Sequence, residues 1–581
     1  MRIRYTSHLT FAALLAIPMF VSSEPAAFAQ TASQITPPTF APQPLVNSRG
    51  RIQLPATQGL NAPAGAEKLF VTPSGVEIDG AFPELRELNA NVEQRLMRRK
   101  ISGAEIFAAA RDLEQAYANA GYILARVSVP PQTISNGSKI KLVVTDGYIE
   151  AIDASAFDTS IRPRVEKLLA PLIGKRHLQK REIERRVLLA GDIPGVTLRS
   201  TLRAGSTTGS TILVLNGRFD AVSATLSVDD GVSKELGRVS VGSGVQFNNM
   251  LGLGEQIYLR ANGYPHGGDD GFFSSDPRNR LLAAGIIVPF DIDGLSLNLE
   301  GTDARTHPES DAGFTLADHF QRFSTRLNYD WWRGRDLDLA TNLIFDVTRE
   351  RQTVVLPGGD LPFTEDRLRV LRLSQSLNWQ NDWGGVFTAS LTGSFGLSAL
   401  GAREGTGALP LSRDGAEPDF QKLDANWRYI QPFANDKLQF TLSGRVQTSF
   451  GQTLVSSEQM SLGGFDGLSS YASGKLDGDA GALARLEVAY PLTGTTQLTD
   501  KGFTVVFAPY LFAAGGVIKL ESPTAAESGT IRAASYGLGI QTALAQSSSD
   551  KAASLSLEYA RGEDSQGNSP NRFNLRLLTS F

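Results

Sequence analysis

The residue types that carry most enzyme chemistry are scarce in this sequence of 581 residues. It has no cysteine, which excludes disulfides, thiolate metal sites and cysteine nucleophiles together. No two of its five histidines have the spacing of a metal-binding pair. We therefore predict no metal, no cofactor and no catalytic residue.

Three short motifs resemble enzyme sites without completing them. Ser473-Gly474-Lys475 resembles a phosphate-binding loop, but Leu476 stands where that loop needs Ser or Thr. The run 242–244 reads Gly-Ser-Gly and lacks the spacing of a nucleophile elbow. Four aspartates could bind a cation but are interpreted as solvated turns: Asp229, Asp230, Asp291 and Asp293.

Charge and composition exclude two further classes of protein. Lys and Arg number 56 against 60 Asp and Glu, a net charge of −4, whereas nucleic-acid-binding proteins usually carry a basic surplus. Hydrophobic residues make up 41%, too many for a disordered chain. We expect a folded protein with no nucleic-acid partner.

The first 29 residues have the pattern of a secretory signal. Arg2 and Arg4 precede an apolar run from Leu9 to Val21, and Ala27-Phe28-Ala29 fits a cleavage site. A membrane anchor helix is the alternative, but the run is too short to span a bilayer. Residues 30–66 then form a proline-rich linker, in which a long helix is unfavourable.

Residues 67–147 and 148–216 repeat one order of elements. Each is predicted as strand, helix, helix, strand, strand, and Ser102 with Glu105 forms a capping box at the second helix. Asn136-Gly137 is a strong turn signal between the closing strands. We predict two tandem modules; a single α+β domain is the alternative. A small mixed sheet leaves an open edge to which an extended segment can pair.

Residues 217–581 show strand periodicity almost throughout. In the last strand, Phe573, Leu575, Leu577, Thr579 and Phe581 share one face. A soluble sandwich could show the same alternation, but the signal peptide and the clustered aromatics favour a membrane barrel. We predict a mainly β protein whose antiparallel barrel has about 16 strands; 14 or 18 fit nearly as well.

The junction between the modules resembles the POTRA signature of two-partner secretion transporters, the haemolysin secretion/activation proteins of the Omp85 superfamily. The matching positions are Tyr117, Gly121, Tyr122, Arg126, Pro130, Gln132, Gly137 and Gly147, with Pro194 and Gly195 in the second module. This resemblance implies two periplasmic POTRA domains that bind cargo through these residues. The barrel itself would lie in the outer membrane.

The resemblance also implies partners. The cargo would be a secreted exoprotein with an N-terminal secretion domain, which threads the barrel and folds outside. Outer-membrane lipid and the barrel assembly machinery would be the other partners of a monomer. Phe573 and the terminal Phe581 resemble the assembly signal of outer-membrane barrels.

The family's lumen loop matches the segment around Gly463, Gly464, Ser469, Ser470, Tyr471, Gly478 and Asp479. Family members carry an arginine at the position of Ser469, and it meets an aspartate on a later strand. We align that aspartate with Ala513, two residues before Gly515, so both charges would be missing. We expect Ser469 and Ala513 to face each other, because joint loss avoids a lone buried charge.

Other interpretations stay open. An assembly factor that inserts other barrels would be expected to have more POTRA repeats. A passive porin or an outer-membrane enzyme would not explain the two modules. The family often has a helix that plugs the barrel, but we expect residues 30–66 to be extended instead.

Overall fold

The computed structural model describes residues 30–42, 61–290, 293–310, 315–498, 501–525, 527–546 and 551–581. The predicted signal peptide, part of the predicted linker and Asp291 lie outside these residues. No helix in the described ranges is both long enough and apolar enough to cross a membrane.

The first module contains the predicted strand, two helices and two closing strands. It comprises β1 (Phe70–Val71), β2 (Gly75–Asp79), α1 (Arg86–Leu96), β3 (Ile101–Ser102), α2 (Gly103–Asn119), β4 (Arg126–Ser128) and β5 (Lys139–Thr145). Two of these, β1 and β3, are further short strands that pair with each other. Its sheet has the order β2-β5-β4, with β2 parallel to β5. The predicted capping box is present, since Ser102 Oγ accepts from the N–H of Glu105 and the Glu105 carboxylate accepts from the N–H of Ser102.

The second module repeats the arrangement. It comprises β6 (Tyr148–Asp153), α3 (Arg162–Leu169), α4 (Lys180–Gly191), β7 (Val196–Ala204) and β8 (Ser210–Phe219), with the sheet order β6-β8-β7. Glu150 ties β6 to the β7–β8 hairpin, because it accepts from the hydroxyl and the N–H of Ser206. These hydrogen bonds lower the pKa of Glu150 to about 2. Strand β8 ends at Phe219, three residues past the predicted boundary.

The rest of the chain forms a closed antiparallel barrel. Its strands are β9 (Val222–Asp229), β10 (Ser240–Asn248), β11 (Gln256–Gly263), β12 (Asn279–Pro289), β13 (Leu295–Thr306), β14 (Thr315–Arg333), β15 (Leu337–Val355), β16 (Leu361–Gln380), β17 (Val386–Gly396), β18 (Gln421–Phe433), β19 (Leu438–Thr448), β22 (Ala480–Ala489), β23 (Leu492–Leu498), β24 (Lys501–Lys519), β25 (Thr530–Gln546), β26 (Ala552–Asp564) and β27 (Asn571–Ser580). Both β22 and β23 pair with β24, so they form one strand interrupted at Pro491. The described barrel therefore has 16 strands, as predicted.

The two ends of the barrel differ. The second module lies against one end, which we name the module end, and the opposite end is the far end. A long connection between β19 and β22 starts at the far end and contains β20 (Met460–Ser461) and β21 (Asp477–Gly478). Large apolar side chains such as Leu511, Leu538 and Phe573 are exposed on the outer wall, as a lipid-facing surface requires.

Candidate functional site: the filled lumen

The segment between β19 and β22, residues 449–479, folds back into the barrel; we name it the lumen loop. Its return point is Asp479, which is fully buried. One carboxylate oxygen accepts from the N–H of Leu454 at 3.0 Å, and the other accepts from the N–H of Glu521 at 2.7 Å. Asp479 therefore fastens both ends of the loop to the connection that follows β24.

A buried ion cluster holds the first half of the lumen loop. Glu458 pairs with Arg372 of β16 at 2.5 Å and with Lys422 of β18 at 2.7 Å. Arg372 also pairs with Asp346 of β15 at 2.9 Å. The loop carboxylate is thus enclosed by cations from the wall, the condition under which a buried charge is tolerated.

The tip of the loop contacts the opposite wall. Gly463 and Gly464 turn the chain back, since a side chain at Gly463 would meet the carbonyl of Ala472 at 2.2 Å. The N–H of Ser470 donates to Ser535 Oγ at 3.2 Å, and Tyr471 Oη donates to Asp564 at 3.4 Å. These contacts join the tip to β25 and β26.

Ser469 lies beside an arginine that the sequence motif did not reveal. Arg485, on β22, donates to Ser469 Oγ at 3.2 Å and to the carbonyl of Gly467. The same guanidinium pairs with Glu487 at 2.7 Å and with Glu558 at 2.5 Å. The cation that contacts Ser469 is therefore supplied by the barrel wall.

The prediction that Ser469 faces Ala513 is wrong. Ala513 pairs with Leu486 and Tyr536, and both are exposed on the outer wall. Gly515 also lies on the outer face. Phe512 and Ala514 point inward instead, so the alignment was shifted by one residue, and such a shift exchanges the two faces of a strand.

The described part of the predicted linker, residues 30–42, also lies in the lumen; we name it the N-terminal segment. It contains no helix, as expected, but its location inside the barrel was not predicted. The N–H of Ala32 donates to Asp318 at 2.8 Å, and the N–H of Phe40 donates to Glu300 at 2.8 Å. Arg322 and Arg326 donate to the carbonyls of Pro37 and Pro38.

The N-terminal segment also contacts the lumen loop. Gln34 donates to Asp477 at 2.6 Å, and Gln30 donates to the carbonyl of Ser473. Gln30 further accepts from the N–H of Ser233, in the far-end connection between β9 and β10. The N-terminal segment therefore runs from the far end toward the module end. Together with the lumen loop it occupies the interior of the barrel.

The POTRA-like motif builds the junction between the modules. Tyr117 is fully buried, accepts from the N–H of Phe82 and donates to Asn89. Tyr122 is also buried and packs edge-on against Phe82. A side chain at Gly147 would meet the carbonyl of Leu124 at 2.0 Å. Because they are enclosed, these three residues shape the modules from within.

The other motif residues have local roles. Gly121, Gly137 and Gly195 have positive φ, and Arg126 Nη1 donates to the carbonyls of Ile123 and Ala125. The side-chain amide of Gln132 donates to the carbonyl of Lys141 and accepts from its N–H. Gln132 and Pro130, two residues before it, thus follow β5 beyond the short strand β4. Cargo binding by these residues stays a prediction.

Ion pairs join the second module to the barrel. Arg333, at the end of β14, forms a bidentate pair with Asp192 at 2.6 and 2.7 Å. Arg335 pairs with Glu184 of α4 at 3.0 Å, and Arg186 pairs with Asp293 at 3.1 Å. The module is held directly below the barrel opening.

The barrel closes where its first and last strands meet. β27 pairs with β9, and the N–H of the terminal Phe581 donates to the carbonyl of Ala224 at 2.9 Å. Phe573 packs against Tyr559 on the outer wall, with 4.8 Å between ring centroids. Both proposed assembly-signal residues are exposed to the surroundings of the barrel.

Comparison with known families decides the classification. A model of the haemolysin secretion/activation proteins ShlB/FhaC/HecB matches residues 208–542, which is more than half of the chain. The chain belongs to this family. A model of the ShlB-type POTRA domain matches residues 71–147, the first module. The sequence-based assignment to the family is confirmed, and family and barrel together place the protein in the outer membrane.

Individual relatives agree with this assignment. The heme/hemopexin transporter protein HuxB of Haemophilus influenzae strain 86-028NP is 24% identical over 420 residues, covering 70% of each chain. The outer membrane transporter CdiB of Escherichia coli is 22% identical over 504 residues, 82% of this chain and 77% of that protein. A solved CdiB structure from Escherichia coli has a TM-score of 0.66 at 19% identity, covering 90% and 94% of the two chains.

Proposed function

We propose that this protein secretes a large β-helical exoprotein through its barrel by two-partner secretion. The module end faces the periplasm, and both modules act there as POTRA domains. The observation that supports this most strongly is the family match, together with a 16-stranded barrel whose lumen holds two segments of the chain. The protein acts as a monomer and needs no catalytic step, since folding of the cargo outside supplies the direction.

The strand edge of β7 is the best place for the unfolded cargo to dock. β7 pairs only with β8 among the described strands, and it is nine residues long without a proline. The edge strand of the first module is a poorer docking edge, because β4 has only three residues and Pro130 and Pro131 follow it closely. An open edge of unpaired N–H and C=O groups can accept an added strand.

The pairing pattern tells which backbone groups of β7 are open. Asp220 donates its N–H to the carbonyl of Gly195, and the N–H of Gly205 donates to Ser210. The backbone groups of the odd-numbered residues of β7 therefore form the hydrogen bonds to β8. The even-numbered residues Leu198, Ser200 and Leu202 direct their N–H groups away from β8. These are the donors that a cargo strand would use.

Proline at position 200 tests this proposal in the full chain. Ser200→Pro removes one outward N–H and leaves the β7–β8 ladder its own donors. We expect binding of an unfolded secretion domain to fall about tenfold, while Ser200→Ala, which keeps the N–H, binds like the unchanged protein. The candidate partner is a large secreted protein encoded next to this chain. Equal binding by both variants would exclude β7 as the docking edge.

A further inference from the structure

A groove of about 1020 Å³ crosses the outer wall of the barrel from β10 to β16. The groove lies on the outer face, because most of its lining side chains share the rows of Leu259, Leu282 and Phe323, which are exposed. The row between them, which includes Thr348, directs its side chains inward and lines the groove where the wall is thinnest in side chains, at its backbone. Small residues make its floor, including Ser243, Ala284 and Gly301. The body of the groove is therefore mostly apolar and open to the membrane. Its outward polar residues are Gln321 and Asp303, and the carboxylate of Asp303 is paired with His319.

One end of the groove is strongly basic. Arg349 and Arg367 pair through Nε with the same oxygen of Glu365 at 2.8 Å, and Arg351 reaches its other oxygen at 3.3 Å. Glu365 is almost fully buried beneath them, whereas each arginine side chain keeps more than 40% of its surface exposed. One carboxylate against three guanidinium groups leaves two positive charges at this end.

The basic end lies farther from the module end than the apolar end does. Gly244 and Leu368 belong to one hydrogen-bonded row across the seven strands. Gly244 is four residues from the module end of β10, whereas Leu368 is twelve residues from the module end of β16. Since about 9–11 residues of a tilted strand cross a bilayer, the arginines lie near the outer interface.

We propose that this groove binds a phosphorylated glycolipid of the outer leaflet, lipid A, with its acyl chains in the apolar body and a phosphate on Arg349 and Arg367. This inference rests on the proposed function for the orientation of the barrel. Guanidinium groups form bidentate, charge-assisted bonds with phosphate oxygens, which suits the donors that Glu365 leaves free. Arginine on a lipid-facing wall is costly near the bilayer centre, but its cost is small at an interface.

Two variants test the two halves of the groove in the full-length protein. Arg349→Gln with Arg367→Gln removes the charges, and Gly301→Trp fills the apolar body, since a side chain at Gly301 meets nothing within 4 Å. The chain offers matched controls on the opposite wall. Arg532→Gln with Arg561→Gln removes two outward arginines there, and Gly515→Trp fills similarly open space.

Binding is measured by native mass spectrometry of the detergent-solubilised protein with bisphosphorylated lipid A, dephosphorylated lipid A or phosphatidylglycerol. We expect both groove variants to lose lipid A affinity about tenfold or more, corresponding to one lost charge-assisted bond, and both controls to keep it. Dephosphorylated lipid A should bind the unchanged protein as weakly as lipid A binds the arginine variant.

Equal loss in the control arginine pair would show unspecific charge attraction and would overturn the proposal. Equal binding of dephosphorylated lipid A or of phosphatidylglycerol would also overturn it. A parallel measurement of partner secretion separates this inference from the proposed function. Secretion without lipid A binding would reject the lipid A site alone. Lipid A binding without any secretion would reject the proposed secretion function alone.

Discussion

At the scale of single residues, the loop tip is held by a cation that comes from the barrel wall. Ser469 stands where the sequence resemblance led us to expect a loop arginine, and Arg485 of the neighbouring strand places its guanidinium against that serine. Its carboxylate partners are Glu487 and Glu558. An ion network therefore holds the loop tip, although no sequence motif around Ser469 predicts it.

A charge exchange between positions 469 and 485 tests this contact. Ser469→Arg places a second guanidinium beside the first, and Arg485→Ser leaves Glu558 without its cation, so each single change should destabilise the barrel by about 2–4 kcal/mol. The double variant Ser469→Arg/Arg485→Ser should recover at least half of the loss. The measurement is the midpoint of the heat-induced mobility shift on electrophoresis.

The control for this exchange is Ala513→Asp. Because Ala513 faces outward, an aspartate there should impair assembly by itself and should not couple with Ser469→Arg. Additive effects of the two changes at 469 and 485 would show that these residues do not interact.

The sequence identified the loop motif but not the residue that completes it. Strand residues alternate between the two faces, so an alignment shifted by one position assigned Ala513 and Gly515 to the lumen in place of Ala514 and Gly516. Arg485 carries no motif of its own. The sequence feature that could have identified it is the spacing of Arg485 and Glu487, two residues apart on one barrel strand, which places both side chains on the same face.

At the scale of elements, the N-terminal segment and the lumen loop occupy the path that cargo would need. The segment's proline content predicted correctly that it forms no long helix, but residues 32–35 form turns and not the expected extended backbone. Its location depends on bonds between residues almost 300 positions apart, such as Ala32 with Asp318, and no local pattern encodes such contacts.

Removal of residues 30–42 should open the pore. The segment is held mainly by backbone groups that bond to wall side chains, including Asp318, Glu300 and Arg326. Without it the lumen gains water, and we expect a several-fold higher single-channel conductance in planar bilayers. Replacement of the same residues by a Gly/Ser stretch of equal length is the control for the deletion itself. Unchanged conductance in both variants would mean that the loop alone closes the barrel.

The contact between the second module and the barrel gives another prediction. Asp192→Arg should separate the second module from the rim and leaves the Arg333–Asp338 pair of the barrel in place, so the barrel itself should lose less than about 1 kcal/mol of stability. Secretion should nevertheless fall, because the docking edge is no longer held below the opening. Adding Arg333→Asp to Asp192→Arg should restore part of the secretion, because the exchanged pair forms again although Asp338 then faces a second carboxylate. Normal secretion by Asp192→Arg alone would contradict this role.

At the scale of the whole molecule, the alternation of the strands and the tandem modules predicted the architecture, and the barrel has the expected 16 strands. The sequence could not fix the strand number, because strand lengths range from 7 to 20 residues and β22 and β23 form one interrupted strand. The predicted boundary of the second module lies three residues before the observed end of β8 at Phe219. No turn signal in the sequence separates β8 from the start of the barrel.

Closure of the barrel depends on its last residue. Phe581 exchanges backbone hydrogen bonds with Ala224 of β9, so its deletion removes the terminal pair of the β9–β27 seam. We expect deletion of Phe581 to lower the amount of assembled, heat-modifiable barrel in the outer membrane severalfold. Phe581→Leu, which keeps the backbone pair, serves as the control that separates pairing from recognition of the aromatic ring. Normal assembly after the deletion would contradict the seam's importance.

The central claim is that cargo passes through the lumen, and a reversible lock tests it most directly. Ala32 of the N-terminal segment and Ala304 of β13 belong to one buried cluster, and the chain has no cysteine of its own. Ala32→Cys with Ala304→Cys should form a disulfide that holds the segment in place, with each single cysteine as a control. The account predicts that secretion of the partner stops under oxidising conditions and returns on reduction. Undiminished secretion by the fully cross-linked protein would contradict it.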